Sequence, residues 1–199
     1  MLSQKAKVLQ ALGGRTMLNH VLTTANKISN KISVVVVFDN ECVEEEIKKI
    51  GINSNTYLQK EQIGTADAVK TTLKDIDKNE KILILYGDVP LIKKETLEKL
   101  CNQESDLSIL TTNLKNPTGY GRALKDKENN VLGIIEEKDA DLEQKKIKEI
   151  FTGILVTKGG VLKNFIPEID NNNSAKEFYL TDLIGIAHKN GFKINTLSS

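Results

Sequence analysis

An α/β fold built on parallel strands is predicted by three observations. Two short, nearly continuous apolar runs, ISVVVVFD (32–39) and KILILYGD (81–88), are rich in Val, Ile and Leu, as strands covered on both faces must be. Segments with helical apolar periodicity lie before, between and after them. The two kinds of segment alternate along the chain, which is the pattern of βα units.

Taken in order, TMLNHVLTTANKI (16–28) predicts the first helix, ISVVVVFD a strand and NECVEEEIKKI (40–50) the second helix. A further strand leads into LQKEQIGTADAV (58–69), and GTADAVKTTLKDI (64–76) continues as a helix. KILILYGD is the next strand, followed by the helical KKETLEKLCNQ (93–103) and the strand DLSILTTNL (106–114). RALKDKENNVLGIIEEKDA (122–140) predicts two short strands around the turn residues ENN, and EIFTGILVTK (149–158) one more strand. The polar DNNNSAKE (170–177) is a connecting loop. FYLTDLIGIAHKNG (178–191) is a last helix stopped by Asn190-Gly191, and FKINTL follows as a strand.

Composition narrows the function classes. With 199 residues, 39% hydrophobic and 28% charged, the chain has room for one domain of ordinary size, or at most two small ones, and can bury roughly 70% of its unfolded surface. The 28 basic and 27 acidic residues leave a net charge of +1, so no bulk field attracts nucleic acid or an anionic membrane, and an anionic ligand must be caught locally. The two cysteines, Cys42 and Cys101, fall in no CxxC or Cys/His spacing and read as reduced thiols of a cytoplasmic chain. No apolar stretch approaches the ~20 residues of a membrane span, and MLSQKAKVLQ lacks the apolar run of a signal peptide.

Four stretches carry candidate chemistry. In LYGDVPL (85–91), Asp88 closes an apolar strand, Gly87 leaves room for a ligand and Pro90 starts a turn. A carboxylate beyond the carboxyl end of a strand suits Mg2+ holding phosphates, although the same residue would also cap a following helix. In LQKEQIGTADAV, Gly64-Thr65 opens a helix whose amide groups and hydroxyl face outward, and Gln59 and Gln62 offer amides to a base edge. NPTGYGRAL (116–124) is a glycine-rich turn around Tyr120 ahead of Arg122, and GIIEEKDA (133–140) ends a strand on Glu136. His20 and His188 sit in helical patterns and read as structural.

Together, KVLQALGGRTMLNHV (7–21), LQKEQIGTADAV, ILYGDVPL, NPTGYGR, GIIEEKDA, TGIL (152–155) and EFYLTD (177–182) resemble the pyrophosphorylase domain of N-acetylglucosamine-1-phosphate uridylyltransferases. The resemblance covers nearly the whole chain in the family's order. It implies a Rossmann-like nucleotide-diphospho-sugar transferase fold, with a mixed, mostly parallel sheet and flanking helices. The implied reaction joins UTP and N-acetylglucosamine 1-phosphate into UDP-N-acetylglucosamine and pyrophosphate, a step toward cell-envelope amino sugars, with Mg2+ as cofactor. By position, Gln59 and Gly64 would contact uracil, Thr65 and Tyr86 would hold the nucleotide sugar, and Asp88 would bind Mg2+. Lys7 would approach the phosphates, while Gly121 and Glu136 would recognise the amino sugar. Gln62 and Gly87 complete the candidate binding set.

The sequence departs from the family in three places. The family's first strand and its loop LxxGxGTxM have no counterpart, since Met1 matches the methionine that closes the loop. The C-terminal end stops before the family's metal-binding asparagine and before the β-helix that performs acetyl transfer and builds trimers in bifunctional members. Residues 1–199 are therefore expected to form a nucleotidyltransferase domain incomplete at both ends and inactive in this form. Phe151 stands where an asparagine bonds the sugar, and phenylalanine has no such group. A related transferase acting on another hexose phosphate, and a silent nucleotide-sugar-binding fragment, stay open as alternatives.

Overall fold

The computed structural model describes residues 6–37 and 41–199. In chain order the elements are β1 (Ala11–Leu12), β2 (Arg15–Thr16), α1 (Met17–Ala25), β3 (Ser33–Val37), α2 (Glu41–Ile50), β4 (Asn55–Gln59), α3 (Thr65–Lys70), β5 (Lys81–Ile84), α4 (Lys94–Cys101), β6 (Leu107–Asn113), β7 (Arg122–Lys125), β8 (Val131–Ile135), β9 (Glu149–Lys158), α5 (Gly159–Phe165), α6 (Asp182–Lys189) and β10 (Ile194–Ser198). The expected α/β alternation is present. Residues 38–40, the end of the predicted strand and the first position of the predicted second helix, lie outside the described residues.

The chain divides into two compact units, one of residues 1–62 and 85–98, the other of residues 63–84 and 99–199. In the first unit β3 and β4 pair in parallel, Ser33 opposite Asn55 through Val37 opposite Gln59. Thr16 caps α1 by accepting from the Asn19 amide at 3.0 Å and donates to Glu46 of α2 at 2.8 Å. Leu9, Leu18, Leu22, Ile32, Val36, Val43 and Ile47 form this unit's core. The i, i+4 spacing of Leu18 with Leu22 and of Val43 with Ile47 puts each pair on one helix face. His20 donates to the Leu12 carbonyl at 2.8 Å, in keeping with a structural role.

The second unit is a six-stranded sheet ordered β10-β6-β9-β7-β8, with β5 also paired to β9. The sheet is mixed, as expected, but its pairings are mostly antiparallel where mostly parallel ones were expected: β10 runs parallel to β6, whereas β5, β6 and β7 run antiparallel to β9 and β7 runs antiparallel to β8. At ten residues β9 is long enough to serve all three, and it contributes Phe151 and Leu155 to the core. Lys125 and Thr111 both bond Glu149, with Lys125 Nζ 2.7 Å from Glu149 Oε2 and Thr111 Oγ1 2.8 Å from Glu149 Oε1. These contacts tie β6, β7 and β9 in one register.

Three expectations change. The strand expected over residues 81–88 stops at Ile84, so Leu85 to Asp88 are not ladder residues, and its pairing is antiparallel. The helix expected over 178–191 begins at Asp182: the Phe178 N–H donates to the Ile63 carbonyl at 2.8 Å, and a turn closed by the Asp182 N–H on the Tyr179 carbonyl at 3.2 Å precedes the helix. Helix α5 follows β9 without a loop, where no helix was expected.

Candidate functional site

Lys7 and Asp88, 81 positions apart in sequence, meet in the first unit. Lys7 opens a short 3-10 turn, Lys7–Leu9. Asp88 lies in a tight turn in which the Val89 N–H donates to the Tyr86 carbonyl at 3.2 Å. Lys7 Nζ is 2.6 Å from Asp88 Oδ2, with the side chains 74% and 30% exposed. Asp88 does not close the strand, which ends four residues earlier, and it cannot cap α4, which starts at Lys94. The capping alternative therefore falls, and the carboxylate is left with its lysine partner and an approach from solvent.

Gly87 has a second reason to be glycine. A Cβ there would stand 3.2 Å from Val8 Cγ1 and 3.7 Å from Leu18 Cδ1, so the turn packs directly on the segment that carries Lys7. Tyr86 is half-buried, Gln59 is buried at the end of β4, and Gln62 is exposed three residues on. These six residues share one unit, and the bond between Lys7 and Asp88 was not anticipated.

Among the described residues no group of three or more His, Cys, Asp or Glu side chains gathers to hold a metal ion. Asp88 contributes one hard-oxygen carboxylate, and such a donor fits an ion that arrives on phosphates. Mg2+ commonly takes one or two carboxylates and completes its shell with phosphate and water. The residues present suit that arrangement and do not suit a closed protein cage.

In the second unit, the helix entrance at Gly64-Thr65 is occupied by the chain's own backbone. The Ala66 N–H donates to the Phe178 carbonyl at 2.9 Å, and the Leu180 N–H donates to Thr65 Oγ1 at 2.9 Å. Gly64 has φ +138°, and any Cβ would collide with the Phe178 backbone. One amide of the predicted cradle, that of Ala66, is therefore spent on Phe178. Thr65 keeps a hydroxyl hydrogen to donate.

The turn between β6 and β7 is braced from below. Arg122, 1% exposed, donates to the Tyr120 carbonyl and to Glu137 Oε2, while the Gly119 N–H also reaches Glu137 Oε2 at 3.3 Å. The hydrogen bond from Arg122 holds the Glu137 carboxyl below its usual range. The Nε of Arg122 is buried without a partner among the described residues. Gly121 is needed where it lies, since a Cβ would stand 2.7 Å from Ile134 Cγ2 and 3.4 Å from Glu136 Oε2.

Glu136 accepts from Thr181 Oγ1 at 2.9 Å. Burial raises its carboxyl above the usual range, and Asp139 and Glu177 add to the rise against the opposing Thr181 bond. Asp182, at the head of α6, is pushed up to about 6, first by burial and then by Asp170, Glu136 and Asp139. Burial and the same acidic neighbours also raise the Tyr179 hydroxyl. Thr181 and Asp182 were missed as candidate site residues, although EFYLTD held the signal: a threonine and an aspartate opening an amphipathic helix. Phe151 is 5% exposed within the apolar core, opposite Thr111 on β6, and its N–H donates to the Gly121 carbonyl at 2.9 Å.

Chemically, the two units offer different surfaces. The first presents a paired ammonium and carboxylate, suited to phosphate and a cation. The second presents a poorly hydrated carboxylate with a hydroxyl partner, suited to accept hydrogen bonds from a neutral polyol.

Comparison with known proteins narrows the chemistry. Residues 2–141 match the model of the MobA-like NTP transferase domain. Among solved structures, a protein of Bacillus anthracis assigned as a glucose-1-phosphate thymidylyltransferase, in complex with sucrose, superimposes with a TM-score of 0.75 at 18% identity, over 97% of this chain and 78% of that one. The inositol-1-phosphate CTP transferase of T. maritima also gives 0.75 at 16% identity, over 99% of this chain and 78% of that one. At such identities these two likenesses bear on the fold, which is that of nucleotide-diphospho-sugar transferases.

Proposed function

Because the chain belongs to the MobA-like NTP transferase domain family, whose chemistry is nucleotidyl transfer, we propose that its acceptor is a sugar 1-phosphate. The donor and acceptor that fit the sequence motifs best are UTP and N-acetylglucosamine 1-phosphate, with residues 1–199 acting as one nucleotidyltransferase domain. The observation that carries this reading is the Lys7–Asp88 pair, which sets a phosphate-seeking ammonium beside a cation-seeking carboxylate. The two relatives described above are named for transfer onto glucose 1-phosphate and inositol 1-phosphate, which supports the acceptor class.

In this reaction a phosphate oxygen of the sugar 1-phosphate attacks the α-phosphorus of UTP in line. The new P–O bond forms as the bond to the β-phosphate breaks, and pyrophosphate leaves with the electron pair. No nucleophilic side chain is required, so positioning and charge neutralisation do the catalysis. Mg2+, held through Asp88 and the phosphates, would supply charge neutralisation at the triphosphate. Lys7 orients the phosphate oxygens once they replace Asp88 as its partner. Gln59, Gln62 and the Gly64 backbone are assigned to uracil, and Thr65 and Tyr86 to holding the nucleotide sugar. Glu136, oriented by Thr181, accepts hydrogen bonds from sugar hydroxyls beside Gly121.

A second reading has its own observation. Phe151 lies in the apolar core and offers only its ring in place of an amide, which favours a hexose phosphate without the acetamido group. A pyrophosphate-release assay with each of the four common nucleoside triphosphates against N-acetylglucosamine, glucose and inositol 1-phosphates separates the readings. Preference for UTP with N-acetylglucosamine 1-phosphate supports the first, and preference for an unacetylated acceptor supports the second. Binding of none of these nucleotides, followed by calorimetry, would count against both.

A further inference from the structure

Lys7 and Asp88 are neighbours because the residues beside them touch: Gly87 lies so close to Val8 that even a Cβ would meet it at 3.2 Å. The packing of the Val8 side chain on Gly87 sets the two positions, while the lysine side chain is 74% exposed on a flexible stem. With Nζ 2.6 Å from Oδ2, the carboxylate already has a cation. A divalent ion added beside that ammonium meets like-charge repulsion and must also give up part of a tightly held water shell. A nucleoside triphosphate changes the balance, since it brings a cation already neutralised by phosphate and offers the ammonium anionic oxygens in exchange for Asp88.

We infer that Lys7 is the resident counter-ion of Asp88, released only when a cation arrives on phosphate, so that metal binding at Asp88 is conditional on nucleotide. This rests on the reading of Asp88 as a metal-bearing carboxylate, and it adds an order of events that the reading does not contain. Lys7 thereby acts twice: it keeps the carboxylate oriented and closed to free cations, and it then moves to the triphosphate that displaces it.

The test is a Mn2+ titration of the full chain, with free Mn2+ followed by electron paramagnetic resonance, with and without UTP. Lys7→Met should bind Mn2+ alone on the order of tenfold more tightly than the unaltered chain, and the gain should vanish when Asp88→Asn is added. The same variant should bind the Mn2+ complex of UTP on the order of tenfold more weakly, having lost its phosphate partner. Lys7→Gln should repeat both shifts, with circular dichroism confirming that each variant is folded.

No gain in Mn2+ affinity for Lys7→Met, or a gain that survives Asp88→Asn, overturns the counter-ion role. If Asp88→Asn still weakens binding of the Mn2+–UTP complex in that case, the metal reading of Asp88 stands alone. If Asp88→Asn leaves that binding unchanged, the metal reading fails and the counter-ion role fails with it.

Discussion

Strands β3 and β6 read alike in sequence and behave differently in the structure. SVVVV and LSILTTN are both apolar runs fit for burial. Yet Leu107 to Thr111 of β6 are all buried, whereas Val34, Val35 and Val37 of β3 are only half-buried. The difference is one of neighbours. β6 lies between β10 and β9, while among the described residues β3 pairs with β4 alone. A run of valines records the capacity to be covered, and the number of strands and helices laid against it decides how much of that capacity is used. The second unit has the larger core, and the first carries the charged pair. The larger core and the Lys7–Asp88 pair thus lie in different parts of the chain.

The sharpest test of that contrast is a matched pair of truncations. Leu155 of β9 is fully buried and Leu58 of β4 is 46% exposed. Leu155→Ala should cost about 3 kcal/mol in urea unfolding, and Leu58→Ala less than about 1 kcal/mol. Equal losses would break the comparison.

Asp88→Asn should act in the opposite sense, weakening binding of the Mg2+ complex of UTP on the order of tenfold while leaving the melting temperature nearly unchanged. The pair is well exposed and such ion pairs contribute little to stability. Binding within twofold of the parent, followed by calorimetry, would remove Asp88 from the candidate site.

Gly64→Ala should reverse the pattern again. Its φ of +138° and the overlying Phe178 backbone leave no room for a methyl group, so a loss of about 2 kcal/mol is expected in thermal or urea unfolding. An unchanged midpoint would show that residues 63–66 and 178–180 separate easily.

The smallest effect is a pH dependence. The Asp182 carboxyl, near 3.8 when unperturbed, is raised to about 6 in the fold. Between those values the folded state binds more protons than the unfolded chain, so stability falls as pH rises through the interval. Asp182→Asn removes this contribution. Its melting temperature, compared with that of the parent, should be similar near pH 3.8 and progressively higher up to and above pH 6. Glu136 shifts in the same direction and keeps some slope in the variant. A difference that does not change with pH would refute the assignment to Asp182.

Much of this was legible because local pattern and global fold agree. The periodicity of residues 16–28 and 40–50 marks α1 and α2, and Asn190-Gly191 marks the end of α6, where Gly191 takes φ +76°. Legibility failed where distant backbone intervened. Helix α5 opens on two glycines, the poorest helix formers after proline. They are there because the Gly159 N–H donates to the Glu80 carbonyl and a Cβ would strike Asp77. The apolar residues after Ile84 extend the look of a strand, but hydrophobicity cannot report that pairing stops there. At the site, Asp88 stood out by its motif, whereas its bond to Lys7 and the influence of Glu136 on Asp182 depend on contacts far apart in sequence. The antiparallel sense of β5 was equally hidden, since an apolar run looks the same in either direction.

The division of the chain also bears on how it is made. Neither unit is one continuous stretch: the first draws on residues 1–62 and 85–98, the second on 63–84 and 99–199. A ribosome adding roughly 5 to 20 residues per second must therefore deliver Glu98 before the first unit has all its parts, by which time the opening stretch of the second has already emerged. Residues 63–84, including the half-buried apolar strand β5, must then wait for β9, whose partner residues begin at Leu155. That interval is when the nascent chain exposes an unpaired strand, and when a holdase would have most to protect.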